Sequence, residues 1–196
     1  MEGLVSGDIF KIAAGSGVIA ALVTGLIGII KDRWVRQEQA LREAEIDAIH
    51  LISKLDGLAA QCANNYWSFH EMWSQMRGSQ NVGNFSCAKP NLDIDPVMLS
   101  KIDRSLACRI AWLENDVKLG SDGIRARWEA YLDTDDALEA DADLVGYFGY
   151  EALLVARGLR QKYKLNYESA KWGMTRIEEQ LSECSDRSKK FFKDSD

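Results

Sequence analysis

Hydrophobic positions form one uncharged run near the N-terminus, and beyond it they recur at helical spacing. The run extends from Ile12 to Ile30, 19 residues without a charged side chain. As a helix rising about 1.5 Å per residue, it would be about 28 Å long, close to the thickness of a bilayer's hydrocarbon core. Nine of its residues are Ile, Leu or Val, and these side chains favour membrane insertion. The pattern predicts a transmembrane helix over residues 9–30, after a short N-terminal tail of residues 1–8.

The same run contains a match to the dinucleotide-binding pattern G-x-G-x-x-A, the segment GSGVIA from Gly15 to Ala20. That motif needs a strand before the glycines and a second strand with an acidic residue about 20 positions later. Asp32 lies at a suitable distance, but the residues after Lys31 are charged helix formers without a β-branched run. A soluble nucleotide-binding enzyme is therefore the disfavoured alternative, and a buried soluble helix is a second one.

Small residues recur every four positions along the predicted span. Such a small-xxx-small stripe allows two helix backbones to approach closely in lipid. We therefore predict that the span associates with itself, although small residues are also common in membrane helices that do not associate. The stripe consists of Ala13, Gly17, Ala21 and Gly25.

Basic residues follow the span and predict its orientation. Lys31, Arg33 and Arg36 come directly after the run, and the positive-inside rule places such a cluster in the cytoplasm. Trp34 is expected to lie at the membrane interface, where Trp side chains are enriched. The basic cluster follows the apolar run instead of preceding it, which argues against a cleaved signal peptide. We expect an inner-membrane protein with its N-terminus outside and its C-terminal domain in the cytoplasm.

Beyond the span, the spacing of apolar residues predicts a long juxtamembrane helix over residues 31–77. Residues 78–95 are rich in Gly, Asn, Ser and Pro and predict a loop. Asp95 is expected to cap a second helix that has Pro96 at its first position. The membrane helix and the first cytoplasmic helix are expected to form one continuous rod, since no residue between them demands a break.

The remaining bundle helices are predicted over residues 96–193, before a tail of residues 194–196. The second helix is expected to continue to about Tyr131, and a third to follow the acidic segment 133–143, whose carboxylates suit a helix N-terminus. No segment alternates with a period of two. The sequence thus predicts an all-α chain, in which a single N-terminal transmembrane helix continues into an antiparallel bundle of three to four long, coiled-coil-like helices.

Composition limits the chemistry that the chain can perform. The 196 residues carry a formal net charge of −6, which disfavours a nucleic-acid partner. His50 and His70 are the two histidines; Asp47 lies one turn before His50, but no second such pair completes a di-iron set. The four cysteines contain no C-x-x-C pair and are expected to be reduced structural residues. We predict no catalytic, cofactor-binding or metal-binding residues.

An aromatic cluster precedes the predicted loop. Core packing is its first interpretation, and a partner contact is the second, since Trp and Tyr are enriched at interfaces. We therefore expect a non-enzymatic, membrane-anchored homo-oligomer that contacts membrane lipid and an unidentified protein partner, as a scaffold or sensor would. The alternative is a membrane effector whose associated spans form a pore or perturb the bilayer, in lysis or defence. The candidate contact residues are Tyr66, Trp67, Phe69 and Trp73.

Overall fold

A computed structural model describes residues 6–76, 85–130, 133–165 and 173–193, with described side chains beginning at residue 24. These residues contain five α-helices and no strand. The prediction of an all-α chain with packed helices is therefore confirmed for this part of the sequence. Residues 1–5 of the predicted N-terminal tail and residues 194–196 of the predicted C-terminal tail lie outside the described residues.

Helix α1, Ser6–Met76, covers both the predicted span and the predicted juxtamembrane helix. Contacts divide the chain into two compact units, Met1–Glu43 and Ala44–Asp196. In the first unit, every side chain described, from residue 24 to residue 43, is exposed. Where side chains are described, no helical stretch combines the length and the apolar character that crossing a membrane requires. Residues 9–23 of the predicted span lie outside that part.

In the second unit, a short helix and a long one replace the single second helix that the sequence predicted. Helix α2, Pro96–Lys101, begins as expected, with the side chain of Asp95 accepting a hydrogen bond from Val97 N at 2.8 Å. It ends at Ile102, whose backbone is extended. Helix α3, Arg104–Ala130, then starts afresh, because the Asp103 carboxylate accepts hydrogen bonds from the first backbone amides of α3.

Helix α4, Thr134–Lys162, is the central helix of the second unit. Its acidic first turn follows Asp133, in agreement with the interpretation of segment 133–143 as a helix start. The five consecutive residues 142–146 are all buried, and because successive residues point about 100° apart, α4 must be covered on every side there. Gly146 and Gly149 allow this close packing, since a Cβ on either would lie within 3 Å of a cysteine side chain.

Helix α5, Met174–Lys193, completes the unit. Helices α1, α3 and α5 all run antiparallel to α4, because residue numbers in their contacts with α4 rise as those of α4 fall. The contacts that define these directions are Asp56–Arg160 and Cys62–Gly149 for α1, Arg109–Glu151 and Gly120–Leu144 for α3, and Arg157–Glu178 and Gly146–Cys184 for α5.

The predicted loop is described only in its second half, since residues 77–84 lie outside the described part. Residues 85–95 contain no helix, and polar contacts hold them against α1 and α3. Asn65 Nδ2 and Lys54 Nζ donate hydrogen bonds to the carbonyl groups of Ala88 and Asp93, at 2.8 and 2.6 Å. The segment thus packs against the helices, and its Cys87 is buried in the core.

Candidate functional site

Large apolar side chains are exposed on α1 within the first unit. Leu26, Ile27, Ile29 and Ile30 expose 59, 60, 56 and 55% of their surface. An exposed aliphatic side chain forgoes roughly 1.5–3 kcal/mol relative to a buried one. Four such residues within five positions form a contiguous apolar surface, and surfaces of this kind mark a contact with lipid or protein.

The predicted interface residues follow this apolar surface directly. Lys31, Arg33 and Arg36 are exposed, and Trp34 exposes 75% of its surface. Trp34 therefore makes little contact within the chain, although its indole carries one of the largest apolar surfaces of any side chain. The predicted role of these four residues at a membrane interface stays a prediction.

The predicted association stripe is described at one position. A Cβ added at Gly25 would meet no atom within 4 Å, so a larger residue fits there within one chain. The side chains of Ala13, Gly17 and Ala21 lie outside the described residues. Self-association of the span through this stripe stays a prediction.

The aromatic cluster lies in the core of the second unit. Tyr66, Phe69 and Trp73 expose 9, 2 and 8% of their surface. Phe69 stacks on Phe85 of the loop segment with 5.0 Å between ring centroids, and Trp73 stacks on the same ring at 6.0 Å. Trp67 is partly buried, with the guanidinium of Arg176 5.5 Å above its ring. The cluster joins the loop segment to α1, which is the core role that the sequence favoured.

A polar network crosses the second unit beside this cluster. Arg187 of α5 donates two hydrogen bonds from Nε and one from Nη2 to the carboxylate of Asp143 on α4, at 2.7–3.1 Å. Its Nη2 also donates to the hydroxyl oxygen of Tyr66 on α1, at 2.9 Å. Asp143 is only 9% exposed, so its charge requires this partner. One guanidinium thus connects three helices.

The network also changes the proton affinities of its members. Hydrogen bonding to Asp143 raises the pKa of Arg187 above its ordinary value, against a smaller effect of burial. Burial raises the pKa of the Tyr66 phenol, and the neighbouring Cys184 thiol adds to the increase. Arg187 therefore stays charged and Tyr66 stays neutral near pH 7.

His70 lies next to this network. Its ring centroid is 4.3 Å from that of Tyr66, and among the described residues its buried Nε2 has no hydrogen-bond partner. Burial lowers the pKa of His70, although Glu139 and Asp143 act in the opposite direction. The second histidine, His50, is exposed on the same helix.

All four cysteines are free thiols. Cys108 is exposed, whereas Cys62, Cys87 and Cys184 are buried. Burial raises the pKa of Cys87 to about 12 and that of Cys184 to about 11, so these thiols are protonated and weakly nucleophilic at neutral pH. Among the described residues, no group of three or more His, Cys, Asp or Glu side chains could hold a metal ion. Asp47, one turn before His50, pairs instead with Lys101 at 3.5 Å.

One exposed surface was not predicted from the sequence. Trp112 and Leu119 of α3 expose 58 and 66% of their surface. Leu119 lines an open groove of about 410 Å³ together with residues of α4 and α5, among them Tyr147 and Lys189. In the sequence, the one indication of this surface was that Trp112 and Leu119 fall outside the three- and four-residue spacing of the buried residues of α3. The partners Asp143 and Arg187 had no such signal, because 44 residues separate them.

Comparisons of the chain with models of known families, with curated proteins and with solved structures gave no match.

Proposed function

We propose that this chain is a non-enzymatic, single-pass membrane protein whose cytoplasmic helical bundle acts as an oligomeric scaffold or sensor. The observation that carries the proposal is the exposed apolar surface of α1, Leu26 to Ile30, which ends the uncharged run that begins at Ile12. In water this surface would remain unburied. In a bilayer it would be covered by acyl chains, as would the rest of the uncharged run, which is about 28 Å long as a helix.

The energetics of insertion favour the span by a modest margin. Nine Ile, Leu and Val residues contribute roughly 0.3–0.6 kcal/mol each near the helix centre, or about 3–5 kcal/mol together. Glycines, Ser16 and Thr24 offset part of this gain. The proposal therefore depends on the absence of charge across the run, since one arginine near the centre costs roughly 2.5–3.5 kcal/mol.

The basic residues after the span support the orientation. Lys31, Arg33 and Arg36 are exposed and lie between the uncharged run and the second unit in the sequence, so the positive-inside rule assigns that unit to the cytoplasm. Trp34, exposed beside them, is suited to the interfacial layer of the membrane. The unidentified protein partner would then meet the bundle in the cytoplasm.

A scaffold or sensor role accounts for the polar groups of the bundle better than catalysis does. Arg187 donates hydrogen bonds to the Asp143 carboxylate and to the Tyr66 hydroxyl oxygen. Such a closed network stabilises helix packing, whereas a catalytic site would direct these groups towards a substrate. We accordingly assign the bundle to protein contact and assembly.

Membrane fractionation of the full chain tests the anchor. We expect the protein to stay in the pellet after a carbonate wash, and Leu22→Arg with Leu26→Arg to release it, because two charges cost about 5–7 kcal/mol. The matched control is Leu41→Arg with Ile46→Arg, which adds the same charge at two exposed positions outside the run and should remain in the pellet. Carbonate release of the unaltered chain would overturn the proposal.

The exposed thiol of Cys108 reports the orientation. A membrane-impermeant maleimide added to intact cells should leave it unlabelled, and the same reagent should label it after permeabilisation. Labelling in intact cells would place the bundle outside. A dye-leakage assay tests the alternative function. Liposomes that contain the purified protein should retain an entrapped dye. Leakage that depends on Gly17 or Gly25 would favour the membrane effector over the scaffold.

A further inference from the structure

A line of exposed side chains follows one face of α1 within the first unit. Ile27, Ile30, Trp34 and Leu41 expose 60, 55, 75 and 57% of their surface. Together with exposed Gln37, they are spaced alternately by three and four residues, the a and d positions of a heptad repeat. We call these five residues the α1 seam.

The same heptad positions are buried farther along α1. From Ala44 onward, each a and d position as far as Cys62 exposes 5% of its surface or less, and these residues belong to the core of the second unit. The α1 seam therefore has the spacing of a buried helix face but lacks a covering partner among the described residues. The buried continuation consists of Ala44, Ala48, Leu51, Leu55, Leu58 and Cys62.

The shape of the seam suits a neighbouring helix. Side chains along it border an open recess of about 510 Å³, between Ile27 at one end and Glu38 at the other. In a coiled coil, each a or d side chain enters a hollow between side chains of the facing helix. A second copy of α1 would supply Trp34 or Ile30 of the partner subunit to fill such a hollow.

The charges beside the seam select a parallel partner. Arg33 occupies a g position and Glu38 the following e position, five residues later. In a parallel pair, these are the positions that meet across the interface, so Arg33 of each chain faces Glu38 of the partner subunit, twice per dimer. Within one chain, Glu38 already accepts a hydrogen bond from Arg42 at 2.7 Å, and its carboxylate can accept a second donor.

We propose that two copies of this chain associate in parallel through the α1 seam. This inference rests on the proposed function for the direction of pairing, since spans with one orientation bring their flanking helices together in parallel. It differs from the predicted association through the small residues of the span. At about 100° per residue, Gly25 lies nine residues and therefore half a turn away from Trp34, on the opposite face of α1.

Disulfide cross-linking of the full chain in membranes tests the contact. In a Cys108→Ser background, Gln37→Cys places a thiol in the seam and Gln39→Cys places one on the opposite face. Oxidation should link most of the first variant into dimers and at least about tenfold less of the second, because only a and d positions approach closely across the interface. Equal cross-linking of the two variants, or none at position 37, would overturn the proposal.

Charge exchange tests the parallel direction. Arg33→Glu or Glu38→Arg alone should weaken dimerisation in detergent by about tenfold, because two attractive pairs become repulsive. The double variant restores opposite charges and should regain most of the unaltered affinity. Double exchange that dimerises no better than either single variant would refute parallel pairing through these residues.

Carbonate washing of the same samples separates this inference from the proposed anchor. If the chain stays in the membrane but position 37 fails to cross-link, the seam is wrong and the anchor stands. If the chain is released yet position 37 links selectively and the charge exchange is restored, the seam stands without the anchor. Trp34→Glu with Leu41→Glu should weaken dimerisation by more than about 100-fold, whereas Ile46→Glu, at an exposed apolar position outside both the seam and the recess, should change it little.

Discussion

Gly146 offers a direct test of how closely α4 and α5 approach. A Cβ at this position would lie 2.3 Å from Cys184 Cβ and 2.6 Å from its Sγ. The backbone of α5 fixes the position of Cys184 Cβ, so rotation of the side chain moves Sγ alone and cannot relieve the overlap. Gly146→Ala must therefore push the helices apart or distort them.

The magnitude follows from two opposing effects. Alanine in a helix interior is favoured over glycine by about 1 kcal/mol. Overpacking costs roughly 1–3 kcal/mol, and the rigid neighbour places this contact at the upper end. The expected net loss is about 2 kcal/mol, equivalent to a thermal midpoint about 4–8 °C lower for a domain of this size.

Gly57 of α1 provides the matched control. A Cβ there would meet no atom within 4 Å, so Gly57→Ala should show the helix gain alone and raise the midpoint by about 2–4 °C. Thermal unfolding of the full chain in one detergent, followed by near-ultraviolet circular dichroism, measures both variants. Opposite signs are the expected result.

A double variant identifies the clash as the cause. Cys184→Gly removes both atoms that the new methyl group would meet. Gly146→Ala and Cys184→Gly together should therefore destabilise the chain by about 3 kcal/mol less than the sum of the single effects, because the clash disappears and the helix gain remains. A higher midpoint for Gly146→Ala alone, or strict additivity in the double variant, would refute the observed spacing of α4 and α5.

Three further predictions concern titration and thiol reactivity. Asp103→Ala should lower the unfolding midpoint at pH 7 more than the exposed control Asp122→Ala, because Asp103 caps α3 and pairs with Lys162. Hydrogen bonds from Ser105 and Lys162 lower the pKa of Asp103, so this difference should persist above about pH 4 and shrink as the pH falls through the lower folded value; equal midpoints at pH 7 would contradict the cap. Burial lowers the pKa of His70, so the unfolded chain takes up its proton first and stability should fall as the pH drops below about 6.5. Urea unfolding midpoints measured at pH 7.5 and 5.5 give the size of this loss of stability, and His70→Gln should make it smaller. An equal loss in the variant and the unaltered chain would exclude His70 as its source. A thiol reagent should modify Cys108 alone in the folded chain and the three buried cysteines after unfolding; native modification persisting in Cys108→Ser would disprove their burial.

The periodic apolar pattern predicted the helices well because most of them bury one face. Helix α3 buries apolar residues that recur at steps of three and four, namely Leu106, Ile110, Leu113 and Val117. The break before α3 escaped prediction, since Ile102 continues the same stripe and is itself buried. The local reason is Asp103, whose side chain competes for the backbone amides that follow it.

Helix α4 shows a different limit of sequence periodicity. Val145, Ala152 and Leu159 recur every seven residues, and this helical spacing explains their burial. Asp143 and Leu144, which do not share that spacing, are also buried. A helix covered on all sides has no polar face, and periodicity cannot detect it. The burial of Asp143 depends on Arg187 from another helix, a pairing that only tertiary structure creates.

The composition of the bundle helices limits how the chain could act on a membrane. Helix α5 carries Arg187, Lys189 and Lys190 among other charges, and moving such a helix into a bilayer would cost several kcal/mol per charge. Withdrawing α4 would leave the Asp143 carboxylate without the guanidinium that compensates its burial. Any perturbation of the bilayer would therefore fall to α1, whose uncharged run contains Ser16 and Thr24 as its polar side chains. These two lie eight residues, or about 12 Å, apart along the helix, and every residue between them is apolar or glycine, so a parallel pair of such spans offers no continuous polar lining. This division of charge supports the proposed roles of α1 as an anchor and of the bundle in assembly.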